Sequence, residues 1–107
     1  MIGQAWFGNC GMGTFGQNNI RGQVCFTPLV QKKLFPERVG IINVEGGCAT
    51  GSMAFHGAWK DVISGTEDVS LAIGVEKIYQ PNQPEKIQEI YDGGIDQFDR
   101  NEWLEFY

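Results

Sequence analysis

The residue best placed for chemistry is Cys48. It stands in Val44-Glu45-Gly46-Gly47-Cys48-Ala49-Thr50-Gly51-Ser52, between a β-branched apolar run and a segment with helical spacing. Free amide groups and the helix dipole at such a junction favour an anion. They stabilise a thiolate and can bind the oxyanion formed when a thioester is attacked. Small neighbours leave room for a substrate arm to approach the backbone. The residue types alone leave two readings open: an activated nucleophile, or a small buried cysteine packed at a strand–helix junction. Glu45, three residues earlier, either orients this loop or meets a partner, or is an ordinary strand-end carboxylate.

A second motif belongs to a different chemistry. Gly11-Met12-Gly13-Thr14-Phe15-Gly16 reads G-x-G-x-x-G, the fingerprint of a dinucleotide-binding turn. The pattern is weak in a chain with 15 glycines. The acid it requires about 20 residues on would be Glu37, in a turn rather than at the end of the next strand. The simpler reading is a loop. His56, the single histidine, lies eight positions after Cys48, about 12 Å along a helix. A nucleophile and its base need about 3 Å. His56 is therefore expected on a helix surface or in packing. Cys10 and Cys25 are expected to be structural or incidental thiols. No His/Cys cluster has zinc spacing, so no metal and no bound cofactor are assigned.

These residues need elements to hold them. Residues 2–8 read as a strand. Apolar spacing over 17–35 predicts a helix that Pro28 kinks or interrupts. Residues 39–45 and 69–75 read as buried strands. Residues 48–64 form a helix with Met53, Phe55, Ala58, Trp59, Val62 and Ile63 on one broad apolar face. Gly65 is its expected C-cap. Strand, helix, strand, helix, strand predicts an α/β fold with a parallel sheet. After Tyr79 the character changes: a Gln-Pro-Asn-Gln-Pro linker, a short helix near 85–91, then an acidic tail. That tail carries Phe98, Trp103, Phe106 and Tyr107 without clear period. Its acids, Asp92, Asp96, Asp99, Glu102 and Glu105, read as a solvated face.

The chain has 107 residues, room for one small domain. A net charge of −5, with eight scattered Lys and Arg, argues against nucleic acid and anionic membrane surfaces. No apolar run reaches the roughly 18 residues of a membrane span. The three cysteines make no disulfide scaffold, and no signal peptide is visible, so a cytoplasmic protein with reduced thiols is expected.

The segment Asn43 to Ala54 resembles the nucleophile stretch of thiolases, C-x-[ST]-G at the start of a helix. The likeness runs on through Trp59-Lys60-Asp61-Val62-Ile63-Ser64-Gly65 and Asp68 to Lys77, with counterparts upstream at Gly8-Asn9 and Gly22-Gln23. It covers roughly residues 3–79 and looks nearer to the sterol-carrier-type branch than to the short-chain biosynthetic one. The resemblance implies part of a layered α/β thiolase domain over residues 1–79, with 80–107 beginning a loop region.

It also implies that Cys48 attacks an acyl-CoA thioester and passes the acyl group to CoA or to the carbanion of a second acyl-CoA. The Cys48 amide would help form the oxyanion hole. CoA thioesters would be substrates, and residues 40–45 would lie near a dimer interface. The family's activating histidine, its water-positioning motif and its second cysteine have no counterparts here. The chain is accordingly expected to be a fragment, inactive alone, that relies on a homo-oligomer or a partner chain for the missing half. The alternatives are a non-catalytic split subunit or interaction module and, less favoured, a dinucleotide-binding fragment.

Overall fold

The computed structural model describes residues 1–106. They fall into two compact units, 1–76 and from Lys77 onward. The first holds three strands, β1 (Gln4–Gly8), β2 (Gly40–Val44) and β3 (Ser70–Gly74), and two helices, α1 (Arg21–Gln31) and α2 (Thr50–Ile63). Short 3-10 turns, Gly11–Phe15 and Gly47–Ala49, precede the two helices. The strands form one parallel sheet in the order β2-β1-β3. The expected α/β fold with a parallel sheet is what the chain adopts.

Successive side chains of a strand point to opposite faces, and central β1 sorts the two layers by this rule. Ala5 and Phe7 face the α1 side, where Phe26, Phe35 and Val39 complete the buried core. Phe26 meets Phe7 edge-on, with ring centroids 6.2 Å apart, and stacks obliquely on Phe35 at 4.6 Å. Trp6 faces the α2 side. A Cβ on Gly57 of α2 would lie 2.4 Å from the Trp6 ring, so only glycine lets the helix come this close.

Four expectations are corrected. The strands expected to be buried over 39–45 and 69–75 are the two edges of the sheet and are part-exposed along their length. Pro28 lies inside α1 and does not interrupt it: the helix continues past it to Gln31. The proline removes one backbone donor near the helix end, where Val24 and Pro28 are exposed and water can serve the orphaned carbonyl. The sheet-facing stripe of α2 is not its large apolar residues. Thr50, Ala54, Gly57, Ala58 and Asp61 are buried, whereas Met53, Phe55, Trp59, Val62 and Ile63 are exposed. Small side chains are what a helix needs to lie against Trp6. The helix expected from residue 48 starts as a 3-10 turn and becomes α-helical only at Thr50. Gly65 does terminate α2, at φ +77° with its N–H on the Val62 carbonyl.

Asp61 is the buried charge of this unit, 8% exposed. Its Oδ2 accepts hydrogen bonds from Trp6 Nε1 (2.8 Å), Gln4 Nε2 (2.9 Å) and Ser70 Oγ (2.9 Å). The Trp6 bond, aided by those from Ser70 and Gln4, holds its pKa below the ordinary carboxylate value against the opposing effect of burial.

The second unit carries α3 (Glu85–Asp92) and α4 (Arg100–Phe106). The acidic tail expected to lack period forms α4. Its acids do local work: Asp92 pairs with Arg100 at 3.3 Å, and Asp96 accepts the Phe98 N–H at 2.9 Å. Trp103 and Phe106 lie on α4, Phe98 is fully exposed, and Tyr107 lies outside the described residues. No helix among the described residues is long and apolar enough to cross a membrane.

Candidate active site

The carboxyl ends of parallel strands are where open α/β sheets place their ligands. Three chain segments meet at that end here: Asn9–Gly11 after β1, Glu45–Ala49 after β2, and Val75–Glu76 after β3. Cys48 sits in the second, at the centre of the 3-10 turn that leads into α2, and is exposed. The reading of Cys48 as a buried packing residue therefore does not hold.

The turn owes its shape to three neighbours. Gly47 adopts φ +60°, a conformation that side chains disfavour. Thr50, 6% exposed, braces the turn from below: its Oγ1 accepts from Gly46 N at 3.0 Å and lies 2.6 Å from the Gly47 carbonyl. Glu45 folds over the turn, and its Oε2 accepts the Gly47 N–H at 2.5 Å. The Ala49 N–H is held by the Gly46 carbonyl at 3.1 Å. The amide N–H of Cys48 is not among the groups these contacts engage.

The turn stands on the ends of the strands. A Cβ on Gly8, the last residue of β1, would meet Thr50 Cγ2 at 3.0 Å and the Thr50 carbonyl oxygen at 3.1 Å. A Cβ on Gly74, the last residue of β3, would lie 3.7 Å from the Gly51 Cα. Beside Glu45 a cleft of about 210 Å³ opens between the ends of β1 and β2, lined by Phe7, Asn9, Arg21, Asn43 and Val44 among others.

The other candidates are separated from this arrangement. His56 stacks on Trp59 with ring centroids 5.7 Å apart, within α2. Cys25 is exposed on α1. Cys10 is nearer: it lies in the β1 loop and its thiol faces Glu45. Burial, followed by the charge and hydrogen bond of Glu45, pushes that thiol's pKa up. Among the described residues no group of three His, Cys, Asp or Glu side chains is arranged to hold a metal. The G-x-G-x-x-G stretch does not have dinucleotide-turn geometry. It forms the 3-10 turn Gly11–Phe15, Gly16 closes it at φ +97°, and α1 starts five residues later. A helix must open directly on the fingerprint for its amides to receive a pyrophosphate.

Sequence reasoning missed Asn9, Thr50, Arg21 and Glu76. No local signal marks them: they converge because the sheet register pairs Gly8 with both Val44 and Gly74, which brings the residues just past these positions to one end of the sheet.

Over 76 residues the chain is 40% identical to the benzoylsuccinyl-CoA thiolase subunit BbsB of Thauera aromatica. The match takes in 71% of this chain and 17% of that protein, so the chain spans about a sixth of its relative's length. This supports a relationship at the level of the thiolase family and does not extend to the sterol-carrier-type branch. No family profile matches the chain, and no solved structure matches it.

Proposed function

We propose that this chain is the nucleophile-bearing portion of a thiolase-like acyltransferase, with Cys48 the residue that takes up the acyl group. The observation that carries this reading is the exposed Cys48 on a glycine turn between a parallel strand and a helix, in a chain 40% identical to a thiolase subunit. In thiolytic cleavage Cys48 Sγ bonds to the keto carbon of a 3-ketoacyl-CoA, the bond from that carbon to its neighbouring α-carbon breaks, and the departing acyl-CoA carbanion takes up a proton. In Claisen condensation Sγ bonds to the thioester carbon of an acyl-CoA, the carbon–sulfur bond to CoA breaks, and the departing CoA thiolate takes up the proton. A second CoA thiol, or the carbanion of a second acyl-CoA, then displaces Cys48. The Cys48 amide is suited to stabilise the tetrahedral oxyanion.

A base for the thiol and an acid for the leaving group must come from elsewhere in a longer chain or from a partner chain. His56 stacks on Trp59 within α2, eight residues from the nucleophile, and does not fill the role. A partner fits the exposed apolar residues of α2, which in isolation face water. Benzoylsuccinyl-CoA, the compound in the relative's name, is the first substrate to try. The test is to incubate the complete native polypeptide with radiolabelled acyl-CoA and map the labelled peptide. The label is expected on the Cys48 peptide and absent from Cys48→Ser. Equal labelling of the variant would sink the assignment.

A further inference from the structure

Arg21 and Glu76 grip one loop from opposite sides, each by the backbone groups that suit its charge. Glu76, two residues past β3, turns its carboxylate toward amide N–H groups: Oε2 accepts from Gly11 N at 2.9 Å, and Oε1 accepts from the amide of Cys10. Arg21, the first residue of α1, turns its guanidinium toward carbonyls. Its Nη1 donates to the backbone oxygens of Asn9 (3.1 Å) and Cys10 (3.2 Å), while Nε donates to Gln17 O at 2.8 Å.

Asn9, 4% exposed, completes the joint. Its Nδ2 donates to Val75 O (2.7 Å) and to Glu76 Oε2 (3.3 Å), and its Oδ1 accepts from Arg21 Nη1 (3.3 Å) and Met12 N (3.2 Å). The peptide groups of the loop lie between the two charges. Both charges polarise those peptides in the same sense, so each bond strengthens the others.

The gripped loop touches the Cys48 turn. Asn9 N donates to Val44 O at 3.3 Å, Gly8 lies directly beneath Thr50, and Glu45, which holds the Gly47 amide, faces Cys10. Loosening the loop would release both supports of the turn, Gly8 below and Glu45 above.

We infer that Arg21 and Glu76 are positioning residues for Cys48, forming a charge clamp closed through the backbone of Asn9–Gly11 that fixes the floor under the nucleophile turn. As a statement about acyl transfer, this rests on Cys48 being the nucleophile. Neither side chain bonds to the Cys48 turn directly; both act through Gly8, Cys10 and Glu45.

The test is amide hydrogen exchange on the complete native polypeptide, wild type against Glu76→Gln and Glu76→Ala, alongside acylation of Cys48 at varied acyl-CoA. Glu76→Gln keeps the shape and one acceptor but loses the charge. It is expected to speed exchange about fivefold in residues 9–11 and also in 46–50, with the rest of the unit unchanged. It should slow acylation at saturating acyl-CoA while the half-saturating concentration stays the same. Glu76→Ala should do more of both; if it fails to fold, Glu76→Gln carries the test.

Faster exchange in 9–11 with 46–50 unchanged would overturn the clamp's reach to the nucleophile. Uniform loosening of the whole unit would overturn it as well, since a general loss of stability has no preference for this turn. An unlabelled wild-type Cys48 would sink the acyl-transfer reading alone, because exchange reports on the clamp without any substrate.

Discussion

The two ends of α2 are held by opposite means. At the C-terminal end a single buried carboxylate, Asp61, gathers donors from the first residues of β1 and β3 and from Trp6, all within 2.9 Å. That carboxylate is 8% exposed and turned away from water. At the N-terminal end the helix opens through glycines and a 3-10 turn, and the supports are peptide amides, Thr50 and the exposed carboxylate of Glu45. One end is an anchor built from strong, desolvated hydrogen bonds. The other is a platform that leaves a thiol in the open. A helix fixed at its far end can present a reactive group on a thin, water-facing turn, because the turn need not stabilise the fold.

Substitutions at the two ends should therefore separate activity from stability. The largest expected effect is on chemistry. Cys48→Ser should lower covalent acylation by the complete protein at least about a thousandfold and leave its urea midpoint nearly unmoved, as for a surface change. Substantial destabilisation would mean that the platform carries the fold after all.

Asp61→Ala should do the reverse. It strands three donors and should cost about 3 kcal/mol in urea unfolding. A loss below about 1 kcal/mol would show that the anchor is not one.

The same anchor sets an acid response. The folded-state pKa of Asp61 is depressed, so its stabilisation is present above the ordinary carboxylate value and is lost as pH falls through the lower folded value. Unfolding followed below about pH 4 should be steeper in pH for wild type than for Asp61→Asn.

The smallest effect is expected at the seam between the ends. Gly8→Ala puts a methyl 3.1 Å from the Thr50 carbonyl oxygen and should lift the turn. The cost should be about 1 kcal/mol in unfolding, with a drop in acylation larger than that stability loss implies. Unchanged acylation would show that the height of the turn above Gly8 does not matter.

Much of this architecture could be read from residue patterns. The β-branched runs at 39–45 and 69–75 and the punctuation of Gly65 located β2, β3 and the end of α2 within a residue or two. Cys48 stood out because glycines bracket it at a strand end. Other features depend on three-dimensional pairing and carry no local mark. Asp61 is set apart only once the register places Gln4, Trp6 and Ser70 around it. Glu76 is set apart only once Cys10 and Gly11 turn their amides toward it. The apolar face of α2 misled because large residues ordinarily mark the inside, yet Trp6 needs small ones. Pro28 does not interrupt α1, because a proline near a helix end costs little when its orphaned carbonyl meets water.

The most direct test of the central claim is peptide-level mass spectrometry of the complete native protein quenched during turnover with an acyl-CoA. An acyl adduct is expected on the Cys48 peptide, appearing before product and disappearing when substrate is exhausted. Turnover with the adduct on Cys10 or Cys25, or with no adduct on any cysteine, would contradict it.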